Sequence, residues 1–540
     1  MKSVPGGARL LAGALAAALL LTGCGGGDGE GGQPGGTFSV ALTEPDHLTP
    51  GNTTSAYSFK VLQGLFDPPV TLDPATGEVV HLAAESLTSE DQRVWTLKVR
   101  PGQTFHDGEA VTARSFADAW NAAAYGPNGW ANNYYFANVE GYDALNPEDP
   151  DGDGPQEAPP PTADTLSGLE VVDDTTLRIT LTAPFSQYPI TLAYTGFAPL
   201  PSAAFEDPEA FDQAPVGNGP FAMDGEWRHN EGITLRRYED YAGPRPAKAD
   251  GVEFIIYASA DTAFTDLQAS GVDVVTSIPA ARVPEASRLL GDRFLTAPSG
   301  SMDYLGFPTF DERFADPRLR RAISMAIDRE AIVQAVYNGA YAPATSLLAP
   351  IVPGYRETAC GEACTFDPAR ARQLLDEAGG FDGTLNLWFS NADPTYEQWM
   401  QAIANQLKDN LGIADVQFRK VPAADYLTTL ADRTQDGPYR NNWQMDYPSA
   451  QNYLEYLWGP GNRMGWENEE FNALIQQAGS AESIEASIPL YQRAEDIAIA
   501  ELPMTPLWNW QDQIGHSENV SDVTVNQYNG LLLLERVSVG

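Results

Sequence analysis

One short stretch of the chain carries an arginine, a tryptophan and an aspartate together: Tyr439-Arg440-Asn441-Asn442-Trp443-Gln444-Met445-Asp446-Tyr447-Pro448. Guanidinium, indole and carboxylate are groups from which a polar binding site is built. In an extended segment Trp443 and Asp446 face opposite sides, so the bend imposed at Tyr447-Pro448 decides whether they can act together. On the pattern alone, a core tryptophan with a surface Asp and Arg is the preferred reading.

Catalytic constellations are missing. The five histidines (His47, His81, His106, His229 and His516) form no His-Glu-x-x-His pair, and no Gly-x-Ser-x-Gly elbow or Gly-x-x-x-x-Gly-Lys phosphate loop occurs. His106, in Phe105-His106-Asp107-Gly108, reads as turn chemistry. An enzyme is therefore not expected, nor nucleotide hydrolysis through a phosphate loop. Asp149-x-Asp151-x-Asp153-Gly154 repeats the first half of an EF-hand-type calcium loop. Its twelfth position is Pro160, where a bidentate Glu is needed. A solvated acidic loop is the preferred reading, with Asp149, Asp151 and Asp153 as the metal candidates, and no cofactor is expected.

Cys360 and Cys364 lie four positions apart with no histidine or further cysteine nearby, which favours a local disulfide over metal ligation. The third cysteine, Cys24, closes an N-terminal pattern. Lys2 and Arg9 precede an apolar run over residues 10–21, too short to span a bilayer. The run ends in Leu21-Thr22-Gly23-Cys24, which resembles a lipobox: residues 1–23 would be a signal peptide, Cys24 the lipidated residue, and 24–36 a Gly-rich tether. No other apolar run is long enough to span. Export and lipid anchoring on the outer face of the cell membrane follow as expectations.

The elements around these residues read as α/β. With 540 residues, 43% of them hydrophobic, the chain can build more than one core. Its 73 acidic against 32 basic residues give a net charge of −41, which repels nucleic acid and anionic lipid. Strands are expected at residues 37–42, 92–100, 169–172, 176–181, 233–237 and 252–257, and after Gly217-Asn218-Gly219-Pro220-Phe221. Helices are expected after Thr112, over 262–269, after the caps Asp316, Asp328 and Asp367, and over 398–411. The alternation argues for α/β lobes. Residues 146–161 read as a surface insertion.

Several segments, in order, resemble the solute-binding proteins of peptide and nickel ABC importers. They are Ala83-Ala84-Glu85-Ser86 with Phe105-His106-Asp107-Gly108, then Gly217-Asn218-Gly219-Pro220-Phe221 with Arg237-Tyr238-x-x-Tyr241-x-Gly243-x-Arg245-Pro246. Asp316-Pro317-Arg318-Leu319-Arg320-Arg321-Ala322-Ile323-Ser324-Met325-Ala326-Ile327-Asp328-Arg329 and Leu502-Pro503-Met504-Thr505-Pro506-Leu507 follow. The resemblance covers positions 38–534. The insertion at 146–161 and the Cys360/Cys364 pair depart from the family's pattern.

The resemblance implies a two-lobe, periplasmic-binding-protein-like fold of the large type, whose first lobe carries an extra subdomain. Lobe I would comprise 37–70, 191–300 and 506–540, its extra subdomain 71–190, and lobe II 301–505. Two crossing segments, near 298–303 and 505–508, would form the hinge. It further implies that Asp446 pairs with a peptide's terminal ammonium, that Arg440 helps hold the other end, and that Trp443 and Tyr447 line the site. The implied partners are a short peptide and the permease and ATPase subunits of an importer, with the protein itself a monomer. Family members also take nickel complexes, haem or oligosaccharides, so the fold does not name the ligand. A secreted hydrolase and a receptor subunit for a sensor kinase are the alternatives from other classes.

Overall fold

The computed structural model describes residues 35–148 and 159–540. Cys24 and the candidates Asp149, Asp151 and Asp153 lie outside the described residues. Among the described residues no helix is long and apolar enough to cross a membrane, and no group of three or more metal-ligating side chains gathers.

Local signals place the elements where physical chemistry puts them. The strand Thr37–Leu42 buries alternate residues at its start, and Val94–Val99 does so along its length. Asp316, Asp328 and Asp367 each precede a helix (Pro317–Met325, Arg329–Tyr337, Pro368–Glu377), and each carboxylate accepts backbone N–H groups of the first turn. These bonds satisfy donors that a helix start otherwise leaves orphaned. The helix expected over 398–411 begins earlier, as Pro394–Leu411 capped by Asp393, because proline fits the first turn.

The strands form one long sheet in the order Val416–Val421, Leu385–Ser390, Tyr439–Gln444, Phe294–Gly306, Met504–His516, Val274–Val275, Thr37–Leu42, Gly251–Ile256, Gly232–Arg237, Phe221–Met223, with Ala342–Pro343 added beside Met504–His516. Its centre is a pair of 13-residue strands, Phe294–Gly306 and Met504–His516, antiparallel from Phe294↔Gly515 to Gly306↔Met504. The pairing loses register between Pro298 and Met302, within the expected first crossing. A separate antiparallel sheet joins Ala84–Ser89, Val94–Val99, Thr176–Thr180 and Leu169–Asp173, and the helix Ala113–Ala124 lies by it.

The hydrophobic cores follow the sheet's two ends. One gathers Phe38, Phe254, Phe116, Trp120 and Leu534. Two others gather Leu387, Trp399 and Leu407, and Tyr453, Trp458 and Phe471. The two long strands contribute Leu305, Leu507 and Trp508 to the second half and Ile514 to the first. They therefore pass from one core to the other.

The motifs that carry the resemblance act as braces. Arg329 donates from Nε to the Pro506 carbonyl at 2.9 Å and from Nη2 to the Ser324 and Thr505 hydroxyls, both at 2.8 Å. Arg320 donates from Nε to the carbonyls of Glu501 and Leu502 at 3.1 Å. Both guanidinia fix the start of Met504–His516. Arg245 reaches Asp67 at 2.6 Å, and the Tyr241 hydroxyl donates to the same carboxylate at 2.7 Å. His106 accepts the Gly217 N–H at Nδ1 (3.0 Å) and donates from Nε2 to the Gly219 carbonyl (3.1 Å), tying the two turns together. A Cβ at Gly217 would stand 1.8 Å from the Leu65 carbonyl oxygen, which is why that turn requires glycine. Cys360 and Cys364 are bonded to each other, with Cα atoms 5.5 Å apart.

Candidate functional site

Tyr439–Gln444 is a strand because it completes the ladder beside Phe294–Gly306, with Met302 opposite Trp443 and Leu305 opposite Arg440. Past its end the chain stays tied to the crossing: Met445 N–H donates to the Gly300 carbonyl at 3.0 Å, and the Tyr453 hydroxyl donates to the same oxygen at 2.6 Å. A Cβ on Gly300 would meet the Met445 side chain at 2.5 Å. Asp446 is thus presented directly beside the point where the long strands lose register.

Asp446 is held by one fully buried residue. Asn452 donates from Nδ2 to the carboxylate Oδ2 at 3.0 Å and accepts the Asp446 backbone N–H at 3.1 Å. Burial raises the carboxyl above its ordinary value, while hydrogen bonds from Asn452 and Tyr135 pull it back down. Among the described residues no Lys, Arg or His forms an ion pair with it. Its surroundings are aromatic. The charge is felt by Tyr134, Tyr135, Tyr194 and Tyr456, whose hydroxyls are all pushed up, chiefly by burial. Tyr134 stacks on Tyr135 (centroids 4.4 Å) and Tyr135 on Tyr194 (4.5 Å), while Trp443 stacks on Tyr456 (5.4 Å). A carboxylate without a countercharge among the described residues, walled by π faces, has the chemistry to accept a cation.

The expected residues divide into two groups. Asp446 and Trp443 come together at this site. Arg440 is elsewhere engaged: 4% exposed, it pairs through Nη2 with Asp303 Oδ1 at 2.8 Å and stacks 3.7 Å over the Tyr396 ring. Asp303 Oδ2 also accepts the indole N–H groups of Trp508 (2.9 Å) and Trp510 (2.7 Å). Burial works against the Arg440 charge, but the facing carboxylate more than offsets it, and the guanidinium ends above its ordinary value. Tyr447 is 7% exposed and its hydroxyl donates to Gln451 Oε1 at 2.5 Å. Arg440 Nη2 and the Tyr447 hydroxyl each have a protein partner, while Arg440 Nε is buried without one among the described residues. Sequence reasoning missed Asn452 and the wall of Tyr134, Tyr135 and Tyr194. Only the aromatic run Tyr134-Tyr135-Phe136 hinted at it.

Residues 78–465 match the bacterial extracellular solute-binding proteins, family 5 (middle region). The chain is a family 5 extracellular solute-binding protein. This solute-binding protein is 26% identical over 532 residues to the oligopeptide-binding protein OppA of Bacillus subtilis, covering 94% of each chain. It is 27% identical over 488 residues to the probable deoxycholate-binding periplasmic protein YgiS of Escherichia coli, covering 86% of each. In fold it is similar to the periplasmic murein tripeptide-binding protein MppA in its unliganded open form, with a TM-score of 0.80 at 22% identity, covering 93% of this chain and 97% of that one. The two-lobe fold of periplasmic binding proteins is therefore this chain's fold. The family's work is ligand capture for ABC importers, not catalysis.

Proposed function

We propose that this solute-binding protein captures short peptides outside the cytoplasm and delivers them to the permease of an ABC importer. The observation that carries the reading is Asp446: a largely buried carboxylate, oriented by Asn452, with aromatic walls and no cationic partner among the described residues. The α-ammonium is the one cation every free peptide has. A desolvated carboxylate rewards it and penalises its absence, and removing one partner of such a pair costs about 2–5 kcal/mol. Peptide binding by OppA, a relative over nearly the full length, favours the same class.

The lipobox at Cys24 supports attachment of the protein to the outer face of the membrane through lipid, with 24–36 as tether. We assign lobe I to 37–70, 191–300 and 506–540, its extra subdomain to 71–190, and lobe II to 301–505, acting as a monomer. Closure on ligand would pivot on the crossing strands. The test is mass spectrometry of molecules released on denaturing the protein purified from its native host. Short free-amine peptides are expected. A bile acid, a metal chelate or a sugar as the sole released species would replace the peptide reading.

A further inference from the structure

A second charged position lies away from Asp446, and three elements build it. Lys60 sits on the helix Ala56–Leu65, Thr276 directly follows the strand Val274–Val275, and Asp512 is on the crossing strand Met504–His516. Val274 and Val275 pair with His516 and Gly515, so Asp512 extends beyond the carboxyl end of that short strand. Val274–Val275 also runs parallel to Thr37–Leu42, itself parallel to Gly251–Ile256. The carboxyl edge of parallel strands is where open α/β sheets take ligands. Lys60, Thr276 and Asp512 gather at that edge, next to the crossing.

Their polar groups are underused. The Lys60 ammonium has three N–H donors and spends one on the Thr276 hydroxyl at 2.9 Å, with the exposed Tyr57 ring 5.6 Å away. Among the described residues no carboxylate reaches it at ion-pair distance. Asp512 is the acidic group whose field it feels, and no donor among the described residues hydrogen-bonds to the Asp512 carboxylate. Both charges resist burial: the Lys60 ammonium is lowered and the Asp512 carboxyl is pushed up to about 6, each chiefly by desolvation. The two opposite charges are half-buried and outside ion-pair distance, and each keeps hydrogen-bonding capacity unspent. The same helix connects the two positions. Phe59, next to Lys60, packs against Tyr194 at 4.7 Å, and Tyr194 belongs to the stack that feels Asp446.

We propose that Lys60 is a ligand-binding residue whose ammonium takes the carboxylate of a zwitterionic ligand, with Thr276 and Asp512 orienting it. The inference rests on the peptide reading and deepens it. Asp446 reads the ammonium end, Lys60 reads a free carboxylate, and the preferred cargo is a peptide short enough to present both. Asp512 favours the charged form of the lysine against its burial and is the acceptor for a ligand N–H.

The test uses mixtures of tri-, tetra- and pentapeptides as free acids, C-terminal amides and N-acetylated acids, with affinities measured for the native chain and for Lys60→Met. The native chain should prefer acids to amides by roughly tenfold or more, the range of a hydrogen bond to a charged group. Lys60→Met should bring acids and amides level while leaving the penalty for N-acetylation unchanged. Lys60→Arg, which keeps the charge, should restore part of the preference, and Lys60→Gln carries the test if the methionine variant does not fold. An acid preference that survives in Lys60→Met, or none in the native chain alongside an intact N-acetyl penalty, overturns the role of Lys60 and spares the peptide reading. If no free peptide of any form binds the native chain, the peptide reading fails and this assignment falls with it.

Discussion

Asn452 clasps Asp446 from both sides, donating to its carboxylate at 3.0 Å and accepting its backbone N–H at 3.1 Å. Because Asn452 is fully buried, its amide cannot turn away, and the carboxylate it holds is fixed before any ligand arrives.

The clasp predicts a pH effect. Burial raises Asp446, and the Asn452 donor lowers it. Ammonium binding needs the ionised carboxylate, so affinity is full above the raised value and is lost as pH falls through it. Asn452→Ala removes the donor that favours the charged form. The midpoint of the affinity-versus-pH curve should move upward, and affinity at neutral pH should drop by about 1–2 kcal/mol. Titration calorimetry across pH checks both. An unmoved midpoint would show that the clasp does not tune the acid.

His106 sets a different dependence, on stability. Burial lowers its folded-state value from 6.5 to about 4, while the unfolded chain keeps the ordinary value. Between the two, the unfolded state binds a proton that the native turn refuses. Stability from this residue is complete above about pH 6.5 and falls as pH drops toward 4, by roughly 3 kcal/mol over the window. Urea unfolding of the native chain and His106→Asn should show a shallower acid slope in the variant. Identical slopes would mean that His106 is not buried as a neutral bridge.

Arg440 and Asp303 form the buried pair beneath the crossing, at 5% and 1% side-chain exposure. Removing one partner strands a charge. Asp303→Ala should cost about 3–5 kcal/mol in chemical denaturation and should also release the indole N–H groups of Trp508 and Trp510, altering tryptophan fluorescence. A loss below about 1 kcal/mol would show that the pair does not brace the strands.

Much of the fold was legible because its signals are local. Asp316, Asp328 and Asp367 announced their helices, and the alternation in Val94–Val99 announced its strand. The site was legible only in part. Asp446 and Trp443 stand in one motif, but Tyr135 and Tyr194 reach them from distant segments, and only the aromatic run Tyr134-Tyr135-Phe136 hinted at that meeting. Arg440 shows the reverse. Its motif position suggested a ligand contact, whereas its partner Asp303 comes from the neighbouring strand, a pairing set by sheet register and not readable along the chain. Tyr447 is buried with its hydroxyl on Gln451, a residue of the helix Ala450–Trp458.

The central claim is that the Asp446 carboxylate receives a ligand's ammonium. Calorimetric affinities of the native chain and Asp446→Asn for one free-amine peptide and its N-acetylated form test it most directly. The account predicts that the native chain loses about 2–5 kcal/mol on acetylation, and that Asp446→Asn binds both forms equally and weakly. The same acetylation penalty in both proteins would contradict it.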